Sequence, residues 1–197
     1  MDFDAFSGGV APGGLRNKGE IGILICYMLD NINAPFDKED LVGIIQENGL
    51  ANYFETISAV TELIKCGNIE YAGNDTAMLQ ITQNGRLISA QLHSTISLSV
   101  RQKALGAIMR LAAKKKLERE NPVTVSNAPG GGYDVNFRIT DGMRDLMSLT
   151  LFIPDLSQVN SVKQRFYQQP DKIYSAILAA VIGDSNLIAQ ALKDMTS

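Results

Sequence analysis

Hydrophobic residues in the first part of the chain recur at the spacing of amphipathic helices. The dense apolar run from Gly19 to Ile32 predicts a first helix, which Pro35 prevents from continuing. In the next segment, DKEDLVGIIQENG, apolar residues recur from Leu41 at intervals of three and four, as on one face of a second helix. Asp37 is suited to cap that helix, and Gly49 to end it in a left-handed conformation.

A third helix is predicted to begin at Asn52, which is a favourable N-cap, and to end at Gly67. Its bulky side chains fall at i, i+4, i+7 and i+11, which forms one stripe along a helix. The residues predicted to face inward are Tyr53, Ile57, Val60 and Ile64. The residues left for the opposite face are Glu55, Ser58, Ala59 and Glu62, with Lys65 toward one edge.

Two short strands and a further helix follow. Ile69–Tyr71 and Met78–Ile81 are predicted to pair as a hairpin, because AGND between them supplies turn residues. Thr82 then begins a fourth helix. Three helices, a hairpin and a helix are the order of a winged helix-turn-helix domain, which we place at residues 19–96. Residues 1–18 are rich in glycine and lack periodicity, so they are predicted to form a flexible tail.

The back half, residues 97–197, is predicted to consist of a linking helix and a small α+β domain. The segment YDVNFRIT alternates apolar and polar residues, as expected for a strand with one buried face. The apolar match with the next strand, RDLMSLTLFIP, favours a three-residue connecting loop with Gly142 at positive φ. That register places Phe137, Val135 and Tyr133 opposite Met147, Leu149 and Leu151.

Three amphipathic helices are predicted after this strand pair. Asp155 caps the first, Pro170 opens the second, Gly183 ends it, and Ser185 caps the last. The residues predicted to face inward are Leu156, Val159, Val162 and Phe166 on the first helix and Ile173, Ile177, Ala180 and Val181 on the second. The expected fold class is α+β, with an N-terminal winged helix-turn-helix followed by a small antiparallel three-stranded sheet packed with helices.

Four stretches of the chain carry a family resemblance. ICYMLDNINAPF, GLANYFETISAVTELI, ITQNGRLI and LMSLTLFIPD together resemble an uncharacterised bacterial family, a domain of unknown function with a winged-helix front and a small α+β back half. The resemblance covers most of residues 19–182. It implies a transcriptional regulator, in a family without a settled activity.

The segment Leu117–Val125 admits two interpretations. Composition alone would let the preceding helix, predicted over residues 97–116, continue to Arg119. Alternation of apolar residues about Pro122 instead suggests a strand with a kink or bulge, and the family resemblance implies a strand as well. We therefore expect a strand here, the third of the back-half sheet.

Composition excludes several classes of protein. Apolar residues make up 45% of the 197 residues, enough for a packed core, and no apolar run approaches the roughly 20 residues that span a bilayer. With no secretion signal at the N-terminus, a soluble cytoplasmic protein is expected. Cys26 and Cys66 lie in apolar helical patterns and are expected to be buried free thiols. Two cysteines and the only histidine, His93, cannot form a tetrahedral zinc site.

The motifs of an enzyme are missing from the sequence. No serine lies in a G-x-S-x-G segment, and nothing positions His93 against one. The glycines of residues 128–132, APGGG, precede a strand and lack the Gly-Lys-Ser/Thr ending of a phosphate-binding loop. We therefore expect no enzymatic activity, no cofactor and no metal.

The winged-helix prediction makes double-stranded DNA the expected partner, because the third helix of such a domain enters the major groove. The residues expected to contact DNA are Asn52, Thr56 and Ser58 in the groove and Lys65 and Arg86 on phosphates. Glu55 and Glu62 oppose this interpretation, since carboxylates on the outer face would repel phosphate. The alternative is a winged-helix module that binds another protein and does not bind DNA.

Positive charge is concentrated after the winged-helix segment. Residues 1–96 hold five Lys or Arg and twelve Asp or Glu, a net charge of −7, whereas residues 97–197 hold thirteen and nine, a net charge of +4. A candidate basic strip consists of Arg101, Lys103, Arg110, Lys114, Lys115, Lys116 and Arg119. It is either a solvated helix face against the acidic front half or a surface for phosphates or an acidic partner. We expect a homodimer, in which the back half dimerises or senses an effector.

Overall fold

The computed structural model describes residues 10–196, with side chains described as far as residue 194. The fold is mixed α+β, and the described residues form eight α-helices and two antiparallel three-stranded sheets. The chain divides into two compact units between residues 113 and 114. This boundary lies inside a helix, and not at residue 96 as the sequence predicted.

The first unit is mainly helical and contains one small sheet. Its elements are α1 (Lys18–Ile32), β1 (Phe36–Asp37), α2 (Lys38–Glu47), α3 (Tyr53–Lys65), β2 (Ile69–Ala72), β3 (Asp75–Ile81), α4 (Gln83–Leu92), a 3-10 turn (His93–Thr95) and the first part of α5 (Leu98–Glu120). The strands pair antiparallel in the order β1-β3-β2. The sequence did not predict β1, which is only two residues long and places Phe36 opposite Leu79.

The predicted caps set the helix boundaries of this unit. The carboxylate of Asp37 accepts a hydrogen bond from the backbone N–H of Asp40 at 3.0 Å, and the side chain of Asn52 accepts one from the N–H of Glu55 at 2.8 Å. Gly49 follows α2 with a φ of +62°, in the left-handed conformation expected of it. The predicted starts of α2 and α3 are therefore confirmed.

The core of the first unit is built on α1. Ile21, Leu24, Ile25 and Met28 of this helix have no exposed area. Burial of apolar side chains of this kind is the main stabilising term in folding. The helix is surrounded because α3, α4 and β3 all contact it.

Part of the predicted flexible tail is attached to this core. Residues 1–9 lie outside the described residues, but the backbone N–H of Leu15 donates to the carbonyl of Leu50 at 2.7 Å, and that of Ala11 to Gly49 at 2.9 Å. The side chain of Leu15 is only 8% exposed. The prediction of a flexible tail is therefore wrong for residues 11–15, which hydrogen-bond to the connection between α2 and α3.

The inward face of α3 differs from the predicted one. Its buried residues are Thr56, Ala59, Val60 and Leu63. Tyr53, predicted to be inward, is 47% exposed. At about 100° per residue, the observed face lies about 80° around the helix from the predicted one. The difference arises because Leu63 fills the core, and because Thr56 enters it with its hydroxyl bonded to the carbonyl of Asn52 at 2.7 Å.

The second unit begins within α5 and contains the larger sheet. Its further elements are β4 (Val123–Asn127), β5 (Tyr133–Thr140), β6 (Asp145–Ile153), α6 (Leu156–Gln168), α7 (Pro170–Ile182) and α8 (Ser185–Thr196). The strand order is β4-β5-β6, with both pairs antiparallel. Because α5 continues to Glu120, the strand predicted for Leu117–Val125 is wrong in its first part. Composition had indicated the longer helix, and Pro122, which cannot donate a backbone hydrogen bond, follows its end.

The register between β5 and β6 is two residues away from the predicted one. Phe137 lies opposite Leu149, and Val135 opposite Leu151. A shift of two keeps every side chain on its predicted face of the sheet, since side chains alternate with a period of two. The buried residues of β5 are accordingly Val135, Phe137 and Ile139, as predicted.

One residue of this shift comes from the loop between the two strands, which contains four residues, 141–144, instead of the predicted three. The other comes from the irregular pairing after Ile139, where Thr140 lies opposite Asp145. The carboxylate of Asp141 accepts hydrogen bonds from the backbone N–H groups of Met143 and Arg144, both at 2.9 Å, and so stabilises the longer loop. Gly142 has the positive φ that was predicted, +86°.

The three C-terminal helices begin and end close to the predicted residues, but they bury less than expected. Val159 and Phe166 of α6 are buried, whereas Leu156 is 54% exposed. On α7 the prediction is wrong for Ala180, which is exposed, and for Val181, which is 79% exposed.

The caps of these helices agree with the prediction at α6 and differ at α8. Asp155 accepts a hydrogen bond from the N–H of Gln158 at 2.9 Å, as a cap of α6 should. The carboxylate of Asp184, and not Ser185, accepts from the N–H groups at the start of α8, that of Asn186 at 2.8 Å.

Candidate nucleic-acid interface

The side of α3 that faces away from the core carries residues of mixed character. Phe54, Ser58, Thr61 and Lys65 recur there at i, i+4, i+7 and i+11. Phe54 is 80% exposed, and Lys65 is exposed in the last turn of the helix. Because the inward face is rotated from the predicted one, Lys65 lies in the middle of the outer face and not at its edge.

The two glutamates predicted for that face are not equivalent. Glu55 is half-buried, and its Oε2 atom is buried without a hydrogen-bond partner among the described residues. Glu62 is exposed, with the thiol of Cys66 at 3.6 Å from its Oε1 atom. Ala59, also predicted to be outward, is buried. One carboxylate, that of Glu62, therefore remains on the outer side of α3.

The five residues predicted to contact DNA do not form one surface. Thr56 is completely buried, so its predicted role in the groove is wrong. The side chain of Asn52 caps α3, as described above. Arg86 donates to Asp30 at 2.8 Å and to Asn33 at 2.6 Å, so its guanidinium is already engaged within the unit. Ser58 and Lys65 are the predicted residues that lie on the outer side of α3.

The β2–β3 hairpin adds acidic groups and no basic ones. Glu70 and Asp75 are exposed on it, and Glu70 accepts a hydrogen bond from the side chain of Gln80 at 2.7 Å. The sequence contains no Lys or Arg between Lys65 and Arg86. The hairpin therefore offers no cation to a phosphate.

The candidate basic strip on α5 is not a single face. At about 100° per residue, Lys103, Arg110 and Lys114 lie on one side of the helix, while Arg101 and Arg119 lie on the opposite side. Lys114 and Lys116 are near Glu118 and Glu120, at 3.9 and 3.8 Å. Exposed pairs of this kind contribute little to stability, yet they reduce the positive field of the helix. The predicted strip is thus two separate groups of basic residues.

Sequence reasoning missed an exposed aromatic pair at the start of α3. The rings of Tyr53 and Phe54 meet edge to face, with centroids 5.6 Å apart. Tyr53 also borders an open groove of about 520 Å³ between α2 and α3, together with Lys38, Val42 and Ile57. Two successive residues of a helix point about 100° apart, so this pair could not have lain wholly in the core.

The remaining candidate chemical groups occupy structural positions. His93 stacks on Tyr27 with ring centroids 5.6 Å apart, and its Nδ1 lies 2.7 Å from the carbonyl of Ser89. Burial, with a further contribution from the charge of Asp30, raises the pKa of the Cys26 thiol to about 12. Cys66 is exposed, contrary to the expectation of two buried thiols. The described residues contain no group of three His, Cys, Asp or Glu that could hold a metal ion.

Comparison with known proteins places this mixed α+β chain in a family. Residues 21–181 match the family model described as Domain of unknown function (DUF4364), and the chain belongs to that family. This confirms the resemblance to an uncharacterised family. Neither curated proteins nor solved structures gave a match. Among the described helices, none has both the length and the apolar character that a membrane crossing requires.

Proposed function

We propose that the chain is a DNA-binding regulator of the winged-helix type, in which the first unit contacts the duplex. The order α1-β1-α2-α3-β2-β3 supports this, because it adds a short strand to the predicted three helices and hairpin. That strand pairs with β3, so the hairpin is joined to the helices by a sheet and not only by a loop. On this proposal α3 is the helix that enters the major groove.

The observation that carries the proposal is the composition of the outer side of α3. Ser58, Thr61 and Lys65 point away from the core. Glu55 does not lie on this face, because it is half-buried and its Oε2 atom is buried. Hydroxyl groups can bond to base edges, and a lysine in the last turn can contact a phosphate. From the sequence alone, two carboxylates would face the duplex and oppose DNA binding. On the outer side of α3 only one of them, that of Glu62, remains.

The remaining acids limit the affinity that we expect. Glu62, Glu70 and Asp75 are exposed around α3 and the hairpin. Affinity for duplex DNA rises with each phosphate neutralised by Lys or Arg, and this surface offers few such residues. We therefore expect weak, salt-sensitive binding to unselected duplexes, with tight binding reserved for a specific site.

Titration of the full chain with mixed genomic duplexes at two salt concentrations tests the proposal. Between about 50 and 200 mM salt, two to four phosphate contacts should weaken binding roughly 10- to 100-fold. Lys65→Ala should lower the slope of log affinity against log salt by about 1. Lys103→Ala, a loss of the same charge on α5, is the comparison variant. An absence of binding at the lower salt concentration would contradict the proposal. An equal effect of the two variants would mean that α5 contributes as much to phosphate binding as α3, which would contradict the assignment of the contact to α3.

The two glutamates provide a matched pair of variants. Glu62→Gln should strengthen binding to unselected duplexes, because it removes an exposed carboxylate from the duplex side of α3. Glu55→Gln should have a smaller effect, since that carboxylate is partly buried against the protein. A larger effect at Glu55 would mean that a different side of α3 faces the duplex.

The second candidate function is protein binding by the first unit without DNA. The exposed Phe54 and Tyr53 favour it, because aromatic residues beside a groove are typical anchors of protein interfaces. On this hypothesis the duplex titration gives no binding at either salt concentration. The salt dependence and the response to Lys65→Ala therefore discriminate between the two functions.

A further inference from the structure

The two edges of the second unit's sheet differ in length and chemistry. β4 has five residues, none of them charged, begins directly after Pro122, and exposes Thr124, Val125 and Ser126. β6 has nine residues, and no charged residue or proline occurs from Leu146 to Ile153. No described strand pairs with the outer side of β6. Proteins usually protect such edges with charges, proline or a covering element, because an open edge is a template for another strand.

The inner face of the sheet is also incomplete at β6. Val135 and Phe137 on the central strand are buried, but Leu151 beside them on β6 is 43% exposed. An apolar groove of about 140 Å³ lies along this edge, where Leu149 and Leu151 face Phe166 across it. The helices therefore cover the centre of the sheet and leave the β6 side open.

The sequence of β6 is symmetric in chemical character about Leu149. Counting outward from this residue, Ser148 and Thr150 are both hydroxyl residues. Met147 and Leu151 come next and are both apolar, and Leu146 and Phe152 follow and are apolar as well. Two antiparallel copies of β6 centred on Leu149 would therefore place like chemistry opposite like chemistry on both faces of the sheet.

We propose that β6 pairs antiparallel with the β6 strand of a second copy of the chain, about a two-fold axis at Leu149. The two three-stranded sheets then form one continuous six-stranded sheet, in which the β6 edge of each copy is paired and the β4 strands lie at the two outer edges. On the inner face Met147 of each copy lies opposite Leu151 of the other, which closes the mouth of each apolar groove. The symmetry is isologous, so the assembly stops at two chains. This inference stands independently of DNA binding.

Charge supports a second copy as the occupant of this edge. The only charged residue of β6 is Asp145, at its start. Its carboxylate accepts hydrogen bonds from two nitrogens of the Arg138 guanidinium, at 2.7 and 3.1 Å. Two β6 strands can therefore approach without bringing uncompensated like charges together, and a strongly charged partner strand would find no complementary charges along residues 146–153.

The proposed dimer is held by two kinds of contact, backbone pairing between the β6 strands and burial of apolar side chains on both faces of the sheet. Seven residues, 146–152, would pair, which supplies roughly one hydrogen bond per residue pair. A strand alone buries less than the roughly 800 Å² per partner of a standard interface. Burial of Leu151 and Phe152, which are 43% and 61% exposed, adds apolar contact on both faces.

The mass of the full chain in solution, compared with the masses of two double variants altered at the same two positions, tests the proposal. The native chain should sediment at twice the 21.4 kDa of one chain at micromolar concentrations. In the double variant Ser148→Lys with Thr150→Lys, each lysine faces a lysine of the other copy, and dissociation into monomers is expected. In the double variant Ser148→Lys with Thr150→Glu, opposite charges meet, and a dimer is expected. Both variants alter only exposed residues. Both also carry the lysine at position 148, which lies opposite Arg138 within the same chain, so any repulsion between these two groups is the same in the two variants.

Each other outcome counts against the proposal. A native chain that is monomeric at 100 µM, or two double variants that both stay dimeric, would overturn it. Circular dichroism of both variants establishes that they are folded before their masses are compared. Two folded variants that are both monomeric would overturn the register centred on Leu149.

Cross-linking locates the two-fold axis independently. In a Cys66→Ser background, Leu149→Cys should form a disulfide-linked dimer under mild oxidation, because the two sulfurs would lie opposite each other at the axis. Met143→Cys is the control, since Met143 is 96% exposed but lies at the loop, six residues from the axis. Equal cross-linking at both positions, or none at position 149, would contradict the proposed pairing.

Discussion

The two units differ in how completely they bury their apolar side chains. In the first unit Ile21, Leu24 and Ile25 have no exposed area, and α1 is contacted by two helices and a strand. In the second unit Phe152 is 61% and Val181 is 79% exposed. An apolar stripe therefore indicates a buried face only where another element is available to cover it.

Truncation of one apolar residue in each unit tests this difference most strongly. Leu24→Ala should lower the free energy of unfolding by about 2–5 kcal/mol, because it removes buried methyl groups and leaves a cavity in a closed core. Val181→Ala should change it by less than about 0.5 kcal/mol, since that side chain is mostly exposed. Urea unfolding followed by circular dichroism measures both. A comparable loss at the two positions would mean that Val181 is covered in solution.

Two helical glycines of the first unit test how tightly its elements are packed. A Cβ atom at Gly85 would lie 2.1 Å from the backbone carbonyl oxygen of Asn68, whereas one at Gly43 would meet nothing within 4 Å. Gly85→Ala should therefore destabilise the protein by about 1–3 kcal/mol or more, as overpacking against backbone does. Gly43→Ala should stabilise it by about 0.5–1 kcal/mol through helix propensity.

Thermal unfolding of these two variants gives the sign of each change. A neutral result for Gly85→Ala would indicate that α4 can move away from Asn68, and that the first unit is less closely packed around this helix than its buried core suggests. A destabilising Gly43→Ala would indicate a contact on the exposed side of α2.

Local chemistry in the sequence predicted the helix starts well. Asp37, Asn52 and Asp155 cap the helices that they were expected to cap, because an N-cap depends on one side chain and a backbone N–H three residues later. The alternation of β5 likewise predicted its buried face. These signals need no knowledge of distant parts of the chain.

The predictions that failed depended on tertiary contacts. The inward face of α3 was predicted wrongly because the stripe through Tyr53 and Ile64 did not include Leu63, which is buried. In addition, Thr56 can be buried because its hydroxyl bonds to the backbone. Only the surrounding helices decide between two such stripes. The burial of Thr56 was missed for the same reason, and so was the ion pair between Arg86 and Asp30, because contacts between distant parts of the chain leave no pattern in the sequence.

The smallest expected effect concerns a cap in the less closely packed unit. The hydroxyl of Ser157 and the backbone N–H of Gln158 donate to Asp155 and hold the pKa of its carboxyl below the ordinary value of 3.8. A lowered pKa means that the folded state favours the charged form. The stabilisation is therefore present above pH 3.8 and is lost as the pH falls through the folded-state pKa.

Asp155→Ala should lower the melting temperature by about 2–4 °C at neutral pH, because α6 loses its cap. The difference from the native chain should narrow as the pH falls below the ordinary aspartate value. Asp155→Asn keeps an acceptor at the cap and should retain most of the melting temperature without that pH dependence. If Asp155→Ala unfolds at the native temperature, the cap contributes nothing, and contacts such as the buried Val159 and Phe166 alone hold α6 in place.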